Sequence, residues 1–446
     1  MSHIDQQAMT PTNGVPQNTN AASDIIPEHV LTAIQDHLRD VPNHGSSFFV
    51  GNRDCVLAKL AEWKAYLPFV HPFYAVKCNN DEGLLRILAN AGISFDCASD
   101  HEIRQVLELG VHPERIIFAS PRKAEDHILF ASESGISLTV FDSEDELRTM
   151  AQVFPSARLM LRIRANDPTA RVRLSDKFGL ELQEAKDMLR LAAKLQVSVV
   201  GICFHVGSAA SDPAAYKRAI GMTRELYDYN LNLVEQHPLS VIDIGGGFTT
   251  SNFRTIAPDI VTAIKLYFGK NDRIRWIAEP GRYFASDAFY LVCRVIGASS
   301  RQESGGPLSR VNSSRDRKLF VNDGVYQNFL NCIIEGFAPV PILLDCFRQQ
   351  DAQAEKFDGT YTIWGQTCCG EDKINKNVNF PRSVQRGDWL CYPSMGAYTL
   401  VTASGFNGFS PCMRVIWSTI TPQTDRNHHS RGITATQGNG TSRSVL

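Results

Sequence analysis

A regular alternation of short β-prone runs and longer helix-like segments fills residues 47–283 and constrains the fold most strongly. The runs are rich in β-branched and aromatic residues, and the segments between them have the periodicity of amphipathic helices. The eight predicted strands are 74–77, 94–98, 116–120, 138–141, 159–164, 199–206, 241–244 and 275–278. Eight successive βα units are the number that closes a (β/α)8 barrel. We therefore predict an α/β fold built on a closed barrel rather than a doubly wound open sheet.

The pattern changes after Gly281, where strand-like runs follow one another without long helices between them. These runs are 288–296, 318–321, 361–364, 388–392 and 413–420. The change predicts a barrel domain over residues 45–283 and a β-rich domain over residues 284–421, to which residues 26–44 contribute. A Ser-, Gly- and Arg-rich stretch, 301–317, is typical of a flexible surface loop.

Both ends of the chain are polar, which predicts a disordered leader over residues 1–25 and a flexible tail over residues 422–446. The leader lacks the charged start and apolar core of a signal peptide, so we expect a cytoplasmic protein. A net charge of -2 gives no electrostatic case for a nucleic-acid partner. No apolar run approaches the roughly 20 residues of a membrane span. The eleven cysteines have neither zinc-site nor disulfide-framework spacing, so we expect reduced thiols and no metal.

A lysine, Lys77, ends the first apolar strand, in the stretch PFYAVKCN (72–79). Active-site residues of such barrels lie where the strands end and the loops begin. A lysine that is desolvated there can become a neutral amine and attack a carbonyl, including the aldehyde of pyridoxal phosphate (PLP). A lysine alone is weak evidence, because a solvated lysine at a strand end is the commoner arrangement.

Other polar or glycine residues lie at or near the ends of five other strands, and together they strengthen the case for Lys77. They are Asp96, Arg162, His205, Gly245, Gly246, Gly247 and Glu279. The triple glycine lets backbone N–H groups approach an anion, and barrels often bind phosphate after strands seven and eight, where Gly281 and Arg282 also lie. A carboxylate at Glu279 could pair with a protonated pyridine nitrogen. His205 could stack on a cofactor ring or be an ordinary core histidine.

Ten stretches of the chain resemble the ornithine decarboxylase branch of the fold-type III PLP enzymes, from about Ser47 to Phe409. They are PFYAVKCN (72–79), FDCAS (95–99), FDSEDEL (141–147), RLSDKFG (173–179), FHVGS (204–208), DIGGGF (243–248), AEPGRYF (278–284), VNDGVY (321–326), IWGQTC (363–368) and MGAYT (395–399). The resemblance implies a PLP-dependent amino-acid decarboxylase with an alanine-racemase-like barrel. A racemase itself is disfavoured, because a carboxylate, Glu279, lies where racemases place a cation.

The resemblance also implies residue roles around the cofactor. Lys77 would hold PLP covalently, Glu279 would pair with the pyridine nitrogen, and His205 would stack on the ring. The phosphate would be held by Ser208, Gly245, Gly246, Gly247, Gly281, Arg282 and Tyr398. Surrounding positions would be taken by Asp96, Glu102 and Arg162.

Members of this family act as head-to-tail homodimers with shared sites, which the resemblance implies here as well. Cys368 would then enter the partner's site and reprotonate the substrate carbon after CO2 leaves. Lys177 and Asp372 match a pair of residues that bridges the two subunits.

The chain departs from the family where the distal ammonium of ornithine is bound. Cys369 occupies the position of one of two aspartates, and a thiol supplies no full charge unless its pKa is lowered. The second aspartate position is Glu335 when the count starts at Tyr326, or Gly336 when the Asn-Cys-Ile match is kept with a one-residue insertion. We therefore expect a substrate other than ornithine.

Divergent fungal members of alkaloid pathways show such departures, and the chain resembles in this respect the decarboxylase of loline biosynthesis. Two alternatives are open at this point. One is ornithine decarboxylase itself, which makes putrescine for polyamine synthesis, with Glu335 alone binding the ammonium. The other is a catalytically inactive regulator like the antizyme inhibitors, although Lys77, Glu279 and Cys368 are all retained.

Overall fold

A closed barrel of eight parallel strands forms the first part of the fold in a computed structural model of the protein. The structure describes residues 25–420 except 41–44, 166–169, 171–176, 211, 234–237, 270–272, 301–315 and 346–358. The predicted leader, the predicted tail and most of the predicted loop at 301–317 lie outside the described residues. The barrel strands are β2 (Val70–Ala75), β3 (Ser94–Cys97), β4 (Ile116–Phe118), β5 (Leu138–Phe141), β6 (Arg158–Ile163), β7 (Ser198–Phe204), β8 (Val241–Asp243) and β9 (Arg275–Ala278).

The strands pair in chain order, and β9 closes the barrel by pairing with β2. The predicted (β/α)8 barrel is thereby confirmed, with eight strands in the predicted order. The first strand ends at Ala75, so Lys77 follows this strand in a 3-10 helix instead of ending it as predicted. The described α-helices of the chain are Glu28–Asp40, Arg53–Tyr66, Glu82–Asn90, Asp100–Glu108, Glu125–Glu133, Glu144–Val153, Leu182–Lys194, Pro213–Leu231, Phe253–Phe268, Arg282–Ala285 and Asn331–Ile334. No helix among the described residues is both long and apolar enough to span a membrane.

Apolar side chains from alternate strand positions fill the barrel below its carboxyl end. A separate cluster of buried residues includes Phe73, Met160, Val241 and Ile277. Side chains alternate between the two faces of a strand, so every second residue of a barrel strand points inward. The polar residues that follow these apolar ones therefore open toward the mouth.

An eight-stranded mixed sheet forms the second part of the fold. Its strands are β1 (Phe48–Asn52), β10 (Phe289–Ser300), β11 (Asp316–Val321), β12 (Ile342–Leu344), β13 (Thr360–Trp364), β14 (Lys373–Val378), β15 (Trp389–Tyr392) and β16 (Val415–Ser418). The five predicted strands are present, and β1, β12 and β14 were missed. The sequence analysis assigned residues 45–52 to the barrel, whereas β1 pairs with β10 and β16 of the sheet. The domain boundaries otherwise stay predictions.

Side-chain contacts join the sheet to the barrel around the end of β2. Asp81 caps the helix Glu82–Asn90 by accepting a bond from Leu84 N, and it also accepts one from Trp417 Nε1 of β16 at 3.0 Å. Asn79 donates to the carbonyl of Gly396 at 2.8 Å, and Tyr398 N donates to the carbonyl of Cys78 at 2.9 Å. The loop after β15 is therefore fixed next to the segment that carries Lys77.

Candidate active site

Strand register brings Lys77 and Asp96 together at the barrel mouth. Asp96 of β3 lies beside Ala75 of β2, and Lys77 follows Ala75 by two residues in a short 3-10 helix, Val76–Cys78. The Lys77 ammonium forms an ion pair with Asp96, whose side chain is 0% exposed. The second carboxylate oxygen of Asp96, Oδ1, is buried without a hydrogen-bond partner among the described residues.

A second group of polar residues forms where β7, β8 and β9 end. Asp243 lies beside Cys203 on one side and Ile277 on the other. Two residues further along each strand stand His205, Gly245 and Glu279, which therefore share one level of the barrel. Glu279 N donates to the Gly245 carbonyl at 2.8 Å, and Gly245 N donates to Asp243 Oδ1 at 2.8 Å.

Burial and mutual repulsion keep the two acids of this group protonated more readily than usual. Burial raises the pKa of Glu279 well above its ordinary value, and the carboxyl groups of Asp243 and Asp96 raise it further. Burial likewise raises the pKa of Asp243 to about 6. A cation placed against Glu279 would relieve this, because an opposite charge favours the ionised carboxylate.

The surroundings of the barrel mouth raise the pKa of Lys77 and lower the pKa of His205. Burial alone would lower the pKa of Lys77, but the carboxylates of Asp96 and Glu279 outweigh it and raise the pKa. Burial, with the positive charges of Arg162 and Lys77, lowers the pKa of His205 to about 3. The imidazole is therefore neutral, and its Nδ1 accepts a hydrogen bond from Gly207 N at 2.9 Å.

Glu102 and Arg162 lie within electrostatic range of the charged groups at the mouth. Glu102 Oε2 accepts a hydrogen bond from Ala98 N at 2.6 Å, and burial raises its pKa. The Arg162 guanidinium lies 5.0 Å from the ring centre of Phe178. Arg162 is placed within electrostatic range of His205, Asp243 and Glu279 by strand β6.

The triple glycine forms a wall into which side chains would not fit. A Cβ on Gly246 would lie 2.7 Å from His205 Nε2 and 2.9 Å from the Glu279 carbonyl. Gly245 and Gly247 have φ of +66° and +110°, in the region that favours glycine. A Cβ on Gly281 would lie 2.8 Å from Cys78 Cβ. Only glycines allow the backbone to line this part of the mouth.

Arg282 lies next to this glycine wall. Its Nη2 forms hydrogen bonds with described residues, whereas its Nε does not. Its Nε is buried without a hydrogen-bond partner among the described residues, and its guanidinium lies 4.9 Å from the ring centre of Tyr398. Its Nη2 is 3.5 Å from Ser208 Oγ and donates to both carboxylate oxygens of Glu335 at 2.7 and 2.8 Å. Tyr398 itself has φ of +56°.

The Arg282–Glu335 pair was not expected from the sequence. The two side chains are 11% and 6% exposed, so the pair is largely desolvated. Gly336, the alternative position for the family's second aspartate, has φ of +62° and open space where a Cβ would be.

Cys368 and Cys369 lie in a turn of the β-rich part. Cys368 is exposed, and its backbone N–H donates to Asn407 Oδ1 at 3.1 Å. Cys369 Sγ lies 2.9 Å from the Tyr326 hydroxyl. Within the part of the chain that the structure describes, no hydrogen bond or ion pair joins either cysteine to Lys77 or Glu279.

Asp372, predicted to pair with Lys177 across the subunits, is held in place by its own chain. Its Oδ1 accepts from Val325 N at 2.8 Å, and its Oδ2 accepts from the Thr367 N–H and hydroxyl at 2.9 and 2.6 Å. The residue is 1% exposed, whereas Lys177 is exposed. The pairing of Asp372 with Lys177 of a second subunit stays a prediction.

The group of residues at the mouth fits PLP. The raised pKa of Glu279 calls for a cation such as a pyridinium, and the unpartnered Arg282 Nε beside the glycine wall suits a phosphate oxygen. Sequence reasoning missed two members of the site, Asp243 and Tyr326. Asp243 begins the DIGGGF motif at a strand end, which was the available signal, whereas the contact of Tyr326 with Cys369 has no signal in the sequence.

Three comparisons with known proteins agree with this geometry. Residues 53–286 match the family model described as pyridoxal-dependent decarboxylase, pyridoxal binding domain. The chain is 38% identical to an ornithine decarboxylase of Neurospora crassa (83% of this chain and 80% of the relative). It is 40% identical to the decarboxylase flvG of Aspergillus flavus (85% and 87%) and 38% identical to antizyme inhibitor 2 of Xenopus laevis (87% and 83%).

Solved structures show the same architecture. An arginine decarboxylase of Paramecium bursaria Chlorella virus, bound to agmatine, superposes with a TM-score of 0.78 at 36% identity, covering 87% of this chain and 100% of that one. A lysine decarboxylase from Selenomonas ruminantium gives a TM-score of 0.74 at 28% identity, over 88% and 96%.

Proposed function

The chain belongs to the pyridoxal-dependent decarboxylases of the ornithine decarboxylase family and decarboxylates an amino acid with PLP as cofactor, and from this premise we propose that its substrate is not ornithine. One observation carries the proposal: neither position expected to hold the distal ammonium offers an uncompensated carboxylate. Cys369 replaces one acid, and Glu335 is bound to Arg282.

The Glu335 carboxylate is neutralised where it stands. Both of its oxygens accept from Arg282 Nη2, and the pair is buried enough that water screens it little. Moving Glu335 toward a substrate cation would withdraw this carboxylate from Arg282. Breaking a buried pair costs up to about 3–5 kcal/mol, and a phosphate bound to Arg282 would offset part of that cost.

The Cys369 thiol offers a substrate far less than a carboxylate would. It contacts the Tyr326 hydroxyl, so the two side chains satisfy each other. Bonding to a charged partner contributes about 1.5–3 kcal/mol per hydrogen bond, more than neutral groups provide. A substrate whose distal end lacks a free ammonium avoids this loss.

The substrate class that fits best is an amino acid of specialised, alkaloid-type metabolism. A distal carboxylate, as in the loline precursor, would be repelled by two aspartates and tolerated beside Cys369. The match to flvG is as strong as the match to ornithine decarboxylase, so overall similarity does not favour ornithine.

In the proposed reaction each residue of the mouth has one task. Lys77 holds the cofactor, Glu279 pairs with its ring nitrogen, and the neutral His205 packs on its ring. Bound PLP supplies an electron sink that lets the α-carboxylate leave as CO2. Cys368 Sγ holds the proton that replaces the carboxylate at Cα.

We assign Cys368 to a neighbouring subunit's site, in a homodimer with shared sites. Its side chain is exposed on its own chain, and no described contact links it to the Lys77 group. A cytoplasmic location is part of the same proposal. The ten described cysteines are free thiols, which suits a reducing compartment.

Restoring the missing charge tests the proposal. Cys369→Asp should raise kcat/KM for L-ornithine at least tenfold, measured as CO2 release by the PLP-loaded protein. Cys369→Ser, which changes the atom without adding charge, should give no gain. An aspartate variant that turns over ornithine no better than the wild type would contradict the assigned cause.

A second candidate, ornithine decarboxylase, is favoured by the similarity to the Neurospora crassa enzyme. It predicts that the wild type already turns over ornithine at an ordinary enzymatic rate. The similarity to antizyme inhibitor 2 raises a third candidate, an inactive regulator. That candidate predicts no PLP absorbance in the purified protein and no CO2 release from any amino acid.

A further inference from the structure

An open cavity of about 770 Å³ lies in the β-rich part of the molecule, apart from the barrel mouth. Its walls come from the helix Glu28–Asp40, the start of β1, strand β10 and the segment 409–414. None of the residues proposed above to bind PLP or substrate lines it. The cavity is large enough for a small organic molecule.

The charge of this cavity has one sign. Arg294, Arg386, Arg414 and His37 line it, and no described lining residue is Asp or Glu. None of the three arginines forms an ion pair with another described residue. A Cβ on Gly387 would lie 3.8 Å from Arg294 Nη2, so this guanidinium reaches the residue next to Arg386.

His37 lies at the helix wall of the cavity, within electrostatic range of Arg414 and Asp40. Burial lowers its pKa, the charge of Arg414 lowers it further, and the smaller effect of Asp40 opposes the shift. Its ring packs edge-on against Phe48, with the ring centres 4.4 Å apart. Phe48 and Phe409, with the half-exposed Met413, add apolar surface beside the charges.

From these observations we infer that the cavity binds a small organic polyanion, a molecule with at least two carboxylate or phosphate groups on an apolar or aromatic body. Guanidinium groups that no described carboxylate neutralises repel one another, and a ligand with multiple negative charges removes that repulsion. Arginine is also the side chain that best matches carboxylate and phosphate geometry. This site is independent of the identity of the amino-acid substrate.

Calorimetric titration of the full-length, PLP-loaded protein tests the site, because bound PLP occupies the phosphate position at the barrel. The probes are citrate, pyrophosphate and ATP, each added at constant ionic strength to separate specific binding from screening. We expect saturable binding of at least one probe, with one site per chain. Citrate binding points to carboxylates, pyrophosphate binding to phosphates, and a preference for ATP to a contribution from the aromatic wall.

Charge-matched variants locate the binding. Arg294→Gln with Arg414→Gln should weaken it at least tenfold, whereas Arg86→Gln with Arg148→Gln, which removes two exposed helix arginines, should leave it within twofold. Arg386→Gln alone should weaken binding severalfold, and this exposed residue lies outside the strands, so folding is not at risk. Absence of saturable binding by all three probes, or equal binding by both double variants, would overturn the inference.

Discussion

Two groups of residues around the active site differ in how many charged side chains they contain and in whether a partner neutralises those charges. At the barrel mouth, the ion pair of Lys77 with Asp96 stands beside the buried acids Asp243 and Glu279, and neighbouring charges shift the pKa values of Lys77, Asp243 and Glu279. At the distal group, defined by Tyr326, Glu335 and Cys369, charge is absent or cancelled. Glu335 is bound to Arg282, and Cys369 contacts a neutral hydroxyl.

The difference indicates which residues of such an enzyme can change while the decarboxylation reaction is retained. Uncompensated buried charge costs stability and is retained where a cofactor needs it. Charge that serves one substrate can be lost when the substrate changes. The predictions below separate the two groups, beginning with the variant expected to have the largest effect.

Removal of the lysine amine should abolish the chemistry of the barrel mouth. Lys77→Ala is expected to lower kcat for the best substrate at least about a thousandfold, because the group that holds the cofactor is lost. CO2 release measures the effect. Lys64→Ala, on an exposed helix face, is the matched control and should stay at the wild-type rate. A Lys77→Ala rate near that of the control would refute the role of Lys77.

A single methyl group in the glycine wall should also disturb the mouth. In Gly246→Ala the added Cβ would meet His205 Nε2 at 2.7 Å, so the imidazole or the wall must move. A shift of the catalytic groups by about 1 Å lowers activity on the order of a hundredfold. Gly297→Ala, whose Cβ would make ordinary contacts of 3.5–3.9 Å, serves as control. Equal kcat/KM and equal PLP content in both variants would contradict the tight fit.

In the distal group, Glu335→Gln distinguishes a counter-ion from a substrate ligand. If Glu335 serves Arg282, KM for any cationic amino acid should change less than about threefold, since a bonded carboxylate holds no substrate. PLP should bind severalfold more tightly, because the carboxylate no longer competes with the phosphate for Arg282. Glu82→Gln, which breaks an exposed pair with Arg86, is the control. A tenfold rise in KM would restore Glu335 as a substrate ligand.

The smallest expected effect is a pH dependence of stability in the cofactor-free protein. The folded protein raises the pKa of Asp243 to about 6 from 3.8, so it binds this proton more tightly than the unfolded chain does. Stability is therefore lost as pH rises through that interval. Asp243→Asn removes the loss and keeps an acceptor for Gly245 N. Its free energy of unfolding relative to wild type should rise by about 1 kcal/mol from pH 5 to pH 7.

Denaturant titration at the two pH values measures this difference. Asp145→Asn, on the exposed first turn of a barrel helix, should show no comparable change. A pH-independent difference for Asp243→Asn would mean that Asp243 titrates as it does in the unfolded chain.

The barrel and the residues at its mouth could be predicted because their signals are local. Eight apolar runs fix the strands, and polar or glycine residues at or near the ends of six of these runs mark the mouth, as for Lys77 and Glu279. Strand β1 was misassigned because a buried apolar run does not reveal its partner, and β14, KINKNV, carries too many polar residues to be recognised.

The distal group could not be predicted because its geometry depends on contacts between distant segments. Residues 282 and 335 are 53 positions apart, and their ion pair has no sequence signature. Asp372 also accepts three hydrogen bonds from Val325 and Thr367 of its own chain, which no sequence pattern indicates.

The most direct test of the central claim is the kcat/KM for CO2 release from L-ornithine by the PLP-loaded protein, beside lysine, arginine and a dicarboxylic proline-linked amino acid. PLP absorbance in the same sample shows whether the barrel mouth is intact. We predict full PLP occupancy and an ornithine kcat/KM at least a hundredfold below that of the best substrate. Ornithine turnover equal to or above that of every other amino acid would contradict the account and return the chain to polyamine synthesis.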